Sequence, residues 1–290
     1  MKCTLCPRSC GAERDGKTGA GFCRMPAGLR VARAALHHWE EPPISGKNGA
    51  GTVFFSGCTL RCSYCQNGDI SAGGQGRDIA PERLREIYFE LLGQGAHNIE
   101  LVTPTHFLPW ILPSLEPKLP VPVVYNCGGY EKVETLRLLE GKVDVWLPDL
   151  KYSDGALARE LSGAEDYFPV ACDAIREMFR QTGRPVYDGN GLMRRGVIVR
   201  HLVLPGYLDN TRRVLDWLAE TFAPGDVAVS LMSQYTPPPH MTGRLARRVT
   251  AAEYRAAVAY MRNCGIEDGF VQERTSAEEA YTPAFDGTGV

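Results

Sequence analysis

A chain of 290 residues with a formal net charge of −2 and ordinary apolar and charged fractions can bury a substantial core, and its composition excludes a disordered or fibrous protein. The near-neutral charge gives no electrostatic ground for nucleic acid or an anionic membrane as partner. No apolar run approaches the roughly 20 residues that span a bilayer, and the N-terminus MKCTLCPRSC lacks the basic and apolar segments of a secretory signal, so a cytoplasmic location is expected.

Seven of the ten cysteines fall in the first 65 residues. In a reducing compartment, cysteines at short spacings are metal or cluster ligands more often than disulfides. Residues 1–48 are rich in Cys, Gly, Arg and Pro and end in the turn-forming run EPPISGKNGAG. They are expected to form a small Cys-rich metal-binding module, followed by one larger domain over residues 49–290. Cys3, Cys6, Cys10 and Cys23 supply four thiolates spaced C-x2-C-x3-C-x12-C, which closes either a zinc tetrahedron or a second iron-sulfur cluster.

The apolar run GTVFFSG then reads as a buried strand, and Cys58, Cys62 and Cys65 follow it directly as C-x3-C-x2-C. A 4Fe-4S cube needs four terminal ligands, so three thiolates leave one iron open to a chelating substrate or cofactor. The competing readings are a zinc site completed from another loop, or small buried cysteines.

Further along, helical patterns alternate with short β-rich runs: PERLREIYFELLGQG before NIELVT, a Pro-rich segment before VPVVYN, and EKVETLRLLEGK before VDVWLPDL. A helical stretch through DAIREMFRQTG precedes VIVRHLVLPG, NTRRVLDWLAETF precedes VAVSLM, and AAEYRAAVAYMRNC closes the series. Six such strands with intervening helices predict an α/β fold, a partial (β/α)6 TIM-type barrel, with a doubly wound open sheet as the alternative. Cys58, Thr103, Asn126, Asp149 and Gln234 sit just after strands, where such folds assemble active sites.

The run CTLRCSYC matches the C-x3-C-x-aromatic-C signature of radical S-adenosylmethionine enzymes. Its flanks FFSG and QN resemble pyruvate formate-lyase activating enzymes, and the match is closer to their less characterised activase-like relatives. CTLCPRSCGAERDGKTGAGFC, LVTPTHFLP, VDVWLPDLKYSD, REMFRQTG and VRHLVLPGYLDNT are similar to segments of the same branch, so the resemblance spans nearly the whole chain. It implies that a 4Fe-4S cluster on Cys58, Cys62 and Cys65 binds S-adenosyl-L-methionine and cleaves it reductively, and that the resulting 5′-deoxyadenosyl radical abstracts hydrogen from a substrate. That substrate is either a glycine of a second protein or a peptide or metabolite, and the electron donor a flavodoxin or ferredoxin. A rival of a different class is a noncatalytic iron-sulfur or zinc protein.

For the cofactor, the resemblance places Asp149 and Lys151 of LPDLKYSD beside it, with Lys151 on its carboxylate, and brings Arg200 to it from a later strand. The alternative for Asp149 and Lys151 is an ion pair at a strand end. Tyr64 is expected near the adenine and Asn67 in the wall of the loop. Asn126 stands where activating enzymes commonly carry a carboxylate, and its amide suits ribose hydroxyls; Cys127 beside it reads as a packed residue. Where many members of the superfamily carry a Gly-Gly-Glu run, this chain has Thr103-Pro104-Thr105-His106, so Thr103 or Thr105 is expected to accept the cofactor ammonium, and His106 either transfers protons or caps a helix. Gln234 and Tyr235 close the last strand and face adenine or substrate, or only shield the mouth.

Overall fold

The computed structural model describes residues 2–16, 19–267, 269–271 and 283–290. Ten strands form one sheet: β1 (Leu29–His37), β2 (Ala50–Phe55), β3 (Arg77–Ile79), β4 (Ile99–Val102), β5 (Val123–Cys127), β6 (Val145–Pro148), β7 (Val186–Tyr187), β8 (Met193–Leu202), β9 (Ala228–Met232) and β10 (Gly269–Val271). The order is β10-β9-β8-β6-β5-β4-β2-β1-β3, with β7 beside β8. From β2 to β10 every pairing along that order is parallel. Among the described residues the edge strands β3 and β10 do not pair, so the sheet curls without closing.

The six predicted β runs are all present as β2, β4, β5, β6, β8 and β9. The sheet is larger than they imply. Strand β1 lies within the span expected to be the N-terminal module, yet pairs antiparallel along all of β2, from Val31 opposite Phe55 to His37 opposite Ala50. The sheet therefore starts at residue 29.

Alternation along the strands builds two cores. Val123, Tyr125, Trp146, Val197, Val199, Val229 and Leu231 face the helical layer. There the helix Tyr167–Thr182 presents Ala171, Ala174, Ile175 and Met178 at helical spacing. The opposite face packs Val124, Val145, Leu147, Met193, Ile198 and Ala228 around Ile44, which is fully buried. Ile44 belongs to the short helix Pro42–Ser45, so the run that reads as a linker by its prolines instead plugs the inside of the curled sheet.

Residues 2–16 and 19–28 form irregular chain with isolated bridges between Lys2 and Glu13 and between Arg14 and Gly19. Arg8 ties this segment to the body, donating through Nε to the Thr59 carbonyl at 2.9 Å, to the Ser162 carbonyl at 2.6 Å, and to that of Gly163. Arg61 answers by donating to the Phe22 carbonyl at 3.2 Å, and Thr135 Oγ1 donates to that of Leu5 at 2.7 Å. No helix among the described residues is long and apolar enough to cross a membrane.

Candidate active site

Strand β2 delivers the chain to Gly57, whose φ of +78° suits glycine, and a Cβ there would meet Met25 Cγ at 2.4 Å. The loop then winds from Cys58 to Asn67, with the Cys65 amide donating to the Cys62 carbonyl at 3.0 Å and the Gly57 amide to that of Ile70 at 2.8 Å. Cys58, Cys62 and Cys65 all line one cavity of about 230 Å³. Its other walls come from residues at or just beyond the C-terminal ends of parallel strands: Val102 and Thr103, Asn126 to Gly128, Asp149 and Lys151, Arg200, and Met232 and Gln234. The cavity continues inward to Glu40 and Glu41.

The thiols suit a bound cluster. The Leu60 amide donates to Cys58 Sγ at 3.3 Å and Ser162 Oγ to Cys62 Sγ at 3.1 Å, contacts that favour thiolate sulfur. Without a metal, burial pushes the Cys58 thiol up to about 12, aided by neighbouring Cys62, and burial raises Cys65 as well. These sulfurs therefore become thiolates when a cationic centre lowers their pKa. Among the described residues no three His, Cys, Asp or Glu side chains converge tightly enough to hold one metal ion.

Beneath the loop lies a buried charge network. Arg200 donates through Nε to Asp149 Oδ1 at 3.0 Å, through one terminal nitrogen to Glu40 Oε2 at 3.0 Å and through the other to Asn126 Oδ1 at 2.6 Å. Asn126 Nδ2 donates to Glu100 Oε1 at 2.7 Å, and Thr52 Oγ1 to Glu100 Oε2 at 2.6 Å. Lys151 Nζ pairs with Asp149 Oδ2 at 2.5 Å. Burial alone would raise the Asp149 carboxyl, but Arg200 and Lys151 hold it below the usual range. Gly129, at φ +76°, lets these strand ends approach, since a Cβ there would lie 2.1 Å from the Asp149 carbonyl oxygen.

Three further acids carry the opposite shift. Burial raises Glu40, with Glu100 beside it adding to the effect, and burial raises Glu100 in turn. Glu41 is pushed up to about 7 by burial despite Arg200. A carboxyl whose folded pKa exceeds its unfolded value stabilises the fold below the unfolded pKa, near 4.3 for Glu, and loses that contribution as pH rises through the folded value. For Glu41 the loss falls between roughly pH 4 and pH 7 and reaches up to about 3 kcal/mol. Glu41→Gln is accordingly expected to melt higher than the parent at pH 8 and level with it at pH 4; equal melting curves at both pH values would contradict this.

The expected cofactor residues divide into two groups. Asn67, Thr103, Asn126, Asp149, Lys151, Arg200 and Gln234 line the cavity with the three cysteines. Thr103 does so at φ +58°, a costly conformation for a β-branched residue. Lys151 forms the ion pair with Asp149, and the Asn126 amide is engaged at both ends. Tyr64 is buried against Tyr152 and Tyr235 and accepts from the Tyr152 hydroxyl at 2.9 Å; it lines an adjoining recess shared with Cys62, Cys65, Asp149, Lys151, Arg200 and Gln234.

Thr105 is a correction. Its hydroxyl is buried against Tyr125 Oη at 2.9 Å and does not line the cavity, because the chain turns into a 3-10 helix at Thr105. His106 is likewise buried, with Nε2 2.7 Å from the Ser56 carbonyl, and burial lowers its pKa to about 4. Tyr235 donates to the Leu245 carbonyl at 2.8 Å, a packing role. Glu40, Glu41 and Glu100 were not expected. Glu100 did leave a signal, as an acid in the middle of the apolar run NIELV.

No family model matches the chain. An uncharacterized protein of Methanocaldococcus jannaschii, MJ0674, is 30% identical over 246 residues, covering 81% of this chain and 66% of the relative. The chain thus spans just under two thirds of that protein's length. Among solved structures, Streptococcus suis SuiB bound to S-adenosylmethionine matches with a TM-score of 0.51 at 12% identity, over 75% of this chain and 48% of SuiB. Methylornithine synthase, PylB, matches with a TM-score of 0.50 at 15% identity, over 83% and 72%. The FeFe-hydrogenase maturase HydG of Carboxydothermus hydrogenoformans gives 0.50 at 14%, over 80% and 55%. The shared feature is the fold. The cysteine loop and the cavity beneath it lie at the C-terminal strand ends of that fold, where α/β sheets of this kind bind ligands.

Proposed function

We propose that the chain is a radical S-adenosylmethionine enzyme that abstracts hydrogen from a substrate held in the cavity. The observation that carries this reading is the opening of Cys58, Cys62 and Cys65 onto one cavity at the C-terminal ends of the parallel strands. A fold shared with a protein solved with S-adenosylmethionine bound supports it. When bound, a 4Fe-4S cluster would supply the electron that cleaves the cofactor's sulfonium bond.

The chain's own residues would hold and orient. Lys151 and Arg200 present the cations suited to a carboxylate, and Asp149 between them keeps both in place. Asn67, Thr103 and Gln234 offer polar groups around the same space. The docked N-terminal segment covers the cysteine loop through the contact of Arg8 with Thr59. An electron donor such as flavodoxin or ferredoxin, and a cytoplasmic location, belong to the same proposal.

Anaerobically reconstituted protein with dithionite and S-adenosylmethionine is expected to release 5′-deoxyadenosine; no product from protein with a full complement of iron and sulfide overturns the reading. A glycyl radical on an added protein would mark an activating enzyme. Product turnover with a peptide or metabolite would mark direct modification, a reading to which SuiB, also solved with its precursor peptide SuiA, lends an example.

Cys3, Cys6, Cys10 and Cys23 form the second proposed metal site, for zinc or an auxiliary cluster; their side chains lie near one another without converging on one point, so metal binding would draw them together. Burial raises Cys6 to about 12 and also raises Cys23, and Cys3 and Cys10 lie close enough to add to these shifts. Stripping the metal should speed tryptic cleavage after Arg8 and Arg14 by at least about tenfold while the barrel survives. An unchanged cleavage pattern would contradict a structural metal.

A further inference from the structure

Residues 283–290 lie beside β1 at the edge of the cavity, and none of them has a part in holding the cofactor. Pro283 lines the cavity itself. Phe285 sets its ring edge-on against Phe54, with centroids 5.5 Å apart, and packs onto the contact cluster of Ala32, Phe54, Ile70 and Val102. Three members of that cluster, Phe54, Ile70 and Val102, line the cavity together with Pro283. Packing therefore runs without a break from the cavity wall to Phe285 behind it.

The segment is seated on β1 by its backbone. The Gly287 amide donates to the Ala32 carbonyl at 3.0 Å, and the Ala34 amide donates to the Thr288 carbonyl at 2.9 Å. Arg33 donates to the Ala284 carbonyl at 2.9 Å and pairs with Asp286 at 3.2 Å. Asp286 in turn accepts from the Thr288 amide at 3.0 Å and from its hydroxyl at 2.6 Å. At Gly289, with φ +72°, a Cβ would lie 2.1 Å from the Ala34 carbonyl oxygen, so glycine is what lets the chain come this close to β1. The outer edge of β1 is thereby occupied beside the cavity, by β3 along Leu29–Val31 and by this segment at Ala32 and Ala34. A polypeptide partner that binds by adding a strand to an open edge finds that edge taken.

The corner so enclosed is apolar. Phe54, Ile70, Val102 and Pro283 carry no side-chain donor or acceptor, and the polar residues expected to hold the cofactor, among them Asn126, Asp149, Lys151 and Arg200, are not members of this cluster. His37 stands edge-on to Phe54 with centroids 5.8 Å apart, and burial lowers it to about 4, so it brings no charge near neutral pH. A charged or hydrogen-bonding group moved into this corner loses water and gains no partner, whereas a hydrocarbon group gains by burial. We propose that residues 283–290 are the specificity wall of the cavity: with Phe54, Ile70 and Val102 they form a subsite for an uncharged hydrocarbon group of a small-molecule substrate, and Phe285 sets its depth. This rests on the radical S-adenosylmethionine reading, which makes the cavity the place of hydrogen abstraction.

The test is calorimetric titration of the reconstituted protein with straight-chain primary alcohols from 1-butanol to 1-octanol, before and after saturation with S-adenosylmethionine. In the parent each added methylene is expected to tighten binding about fourfold until the chain meets the wall, beyond which affinity levels off. Phe285→Ala should extend the rise by at least one methylene, so that the longest alcohols bind it at least about fourfold more tightly than the parent while the shortest are unchanged. Phe285→Leu, which keeps an apolar contact, should shift the limit in the same direction and by less. Gly289→Val should unseat the segment, with exchange of the Ala34 amide at least about tenfold faster and the chain-length limit lost. No alcohol binding to the parent, the same chain-length limit in the parent and all three variants, or rapid exchange of the Ala34 amide in the parent overturns the proposal. So does displacement of the alcohols by S-adenosylmethionine, since the apolar corner would then belong to the cofactor. A limit that depends on Phe285 in protein that fails to cleave S-adenosylmethionine would overturn the catalytic reading and leave the apolar subsite standing; cleavage with no such limit would do the reverse.

Discussion

Cys62→Ala protein, reconstituted anaerobically with iron and sulfide, is expected to form no 5′-deoxyadenosine above background, a loss of roughly three orders of magnitude or more, because no side chain replaces the electron source. Cys62 is the informative member of the three. Its sulfur accepts the Ser162 hydroxyl at 3.1 Å, and the hydroxyl of Tyr152 lies 2.7 Å from the same Ser162 oxygen, so its position is fixed from the body of the barrel. Loss of this thiol leaves two cluster ligands and unfolds nothing, since the loop is also pinned by its backbone bonds to Leu161 and Ile70. Cys172→Ala is the control: that thiol is buried in the helix Tyr167–Thr182, remote from the cavity, and its loss should leave product formation within about twofold. If Cys62→Ala retained cleavage near the parent level, the three-cysteine loop would not hold the cluster.

The second large effect is on stability. Arg200 is the cation at the centre of the buried network, and Arg200→Met removes the partner of Asp149, Glu40 and Asn126 at once. Breaking a buried pair from one side costs about 3–5 kcal/mol, because the remaining charge stays buried without compensation. The sign with pH follows from the same groups. Without Arg200 the carboxyls of Glu40 and Asp149 take up protons more readily, so the folded variant binds more protons than its unfolded chain and loses stability as pH rises. Urea unfolding should therefore show a larger deficit at pH 8 than at pH 6. A deficit below about 1 kcal/mol at both values would mean that Arg200 does not carry the network.

Much of this fold was legible because the strand runs are short, apolar and bounded by Gly, Pro and polar residues, and all six are strands. The three-cysteine loop was legible because its thiols are local in sequence, and all three line one cavity. The N-terminal boundary was not. LRVARAALH alternates only loosely, and its identity as β1 depends on pairing with β2 across the intervening loop.

The same limit hid the inner acids. Arg200 was recognisable as a charge inside an apolar strand, and the identical argument applies to Glu100 in NIELV. Glu40 and Glu41 gave no such signal, because they precede two prolines in a run with loop composition. Their burial follows from Ile44 reaching the inner core, a tertiary contact. Thr105 failed for a local reason: Pro104 is followed by a 3-10 turn that carries the hydroxyl to Tyr125, so a residue two positions beyond a strand-end site need not share it.

The most direct measurement of the central claim is the electron paramagnetic resonance spectrum of the reduced, reconstituted protein with and without S-adenosylmethionine. A cluster held by Cys58, Cys62 and Cys65 has one iron left for the cofactor, so the signal should change shape and g-values when the cofactor is added, and the change should be absent in Cys62→Ala. An intense cluster signal that is identical with and without S-adenosylmethionine would contradict the account, and would make the cluster a closed centre for electron transfer or structure.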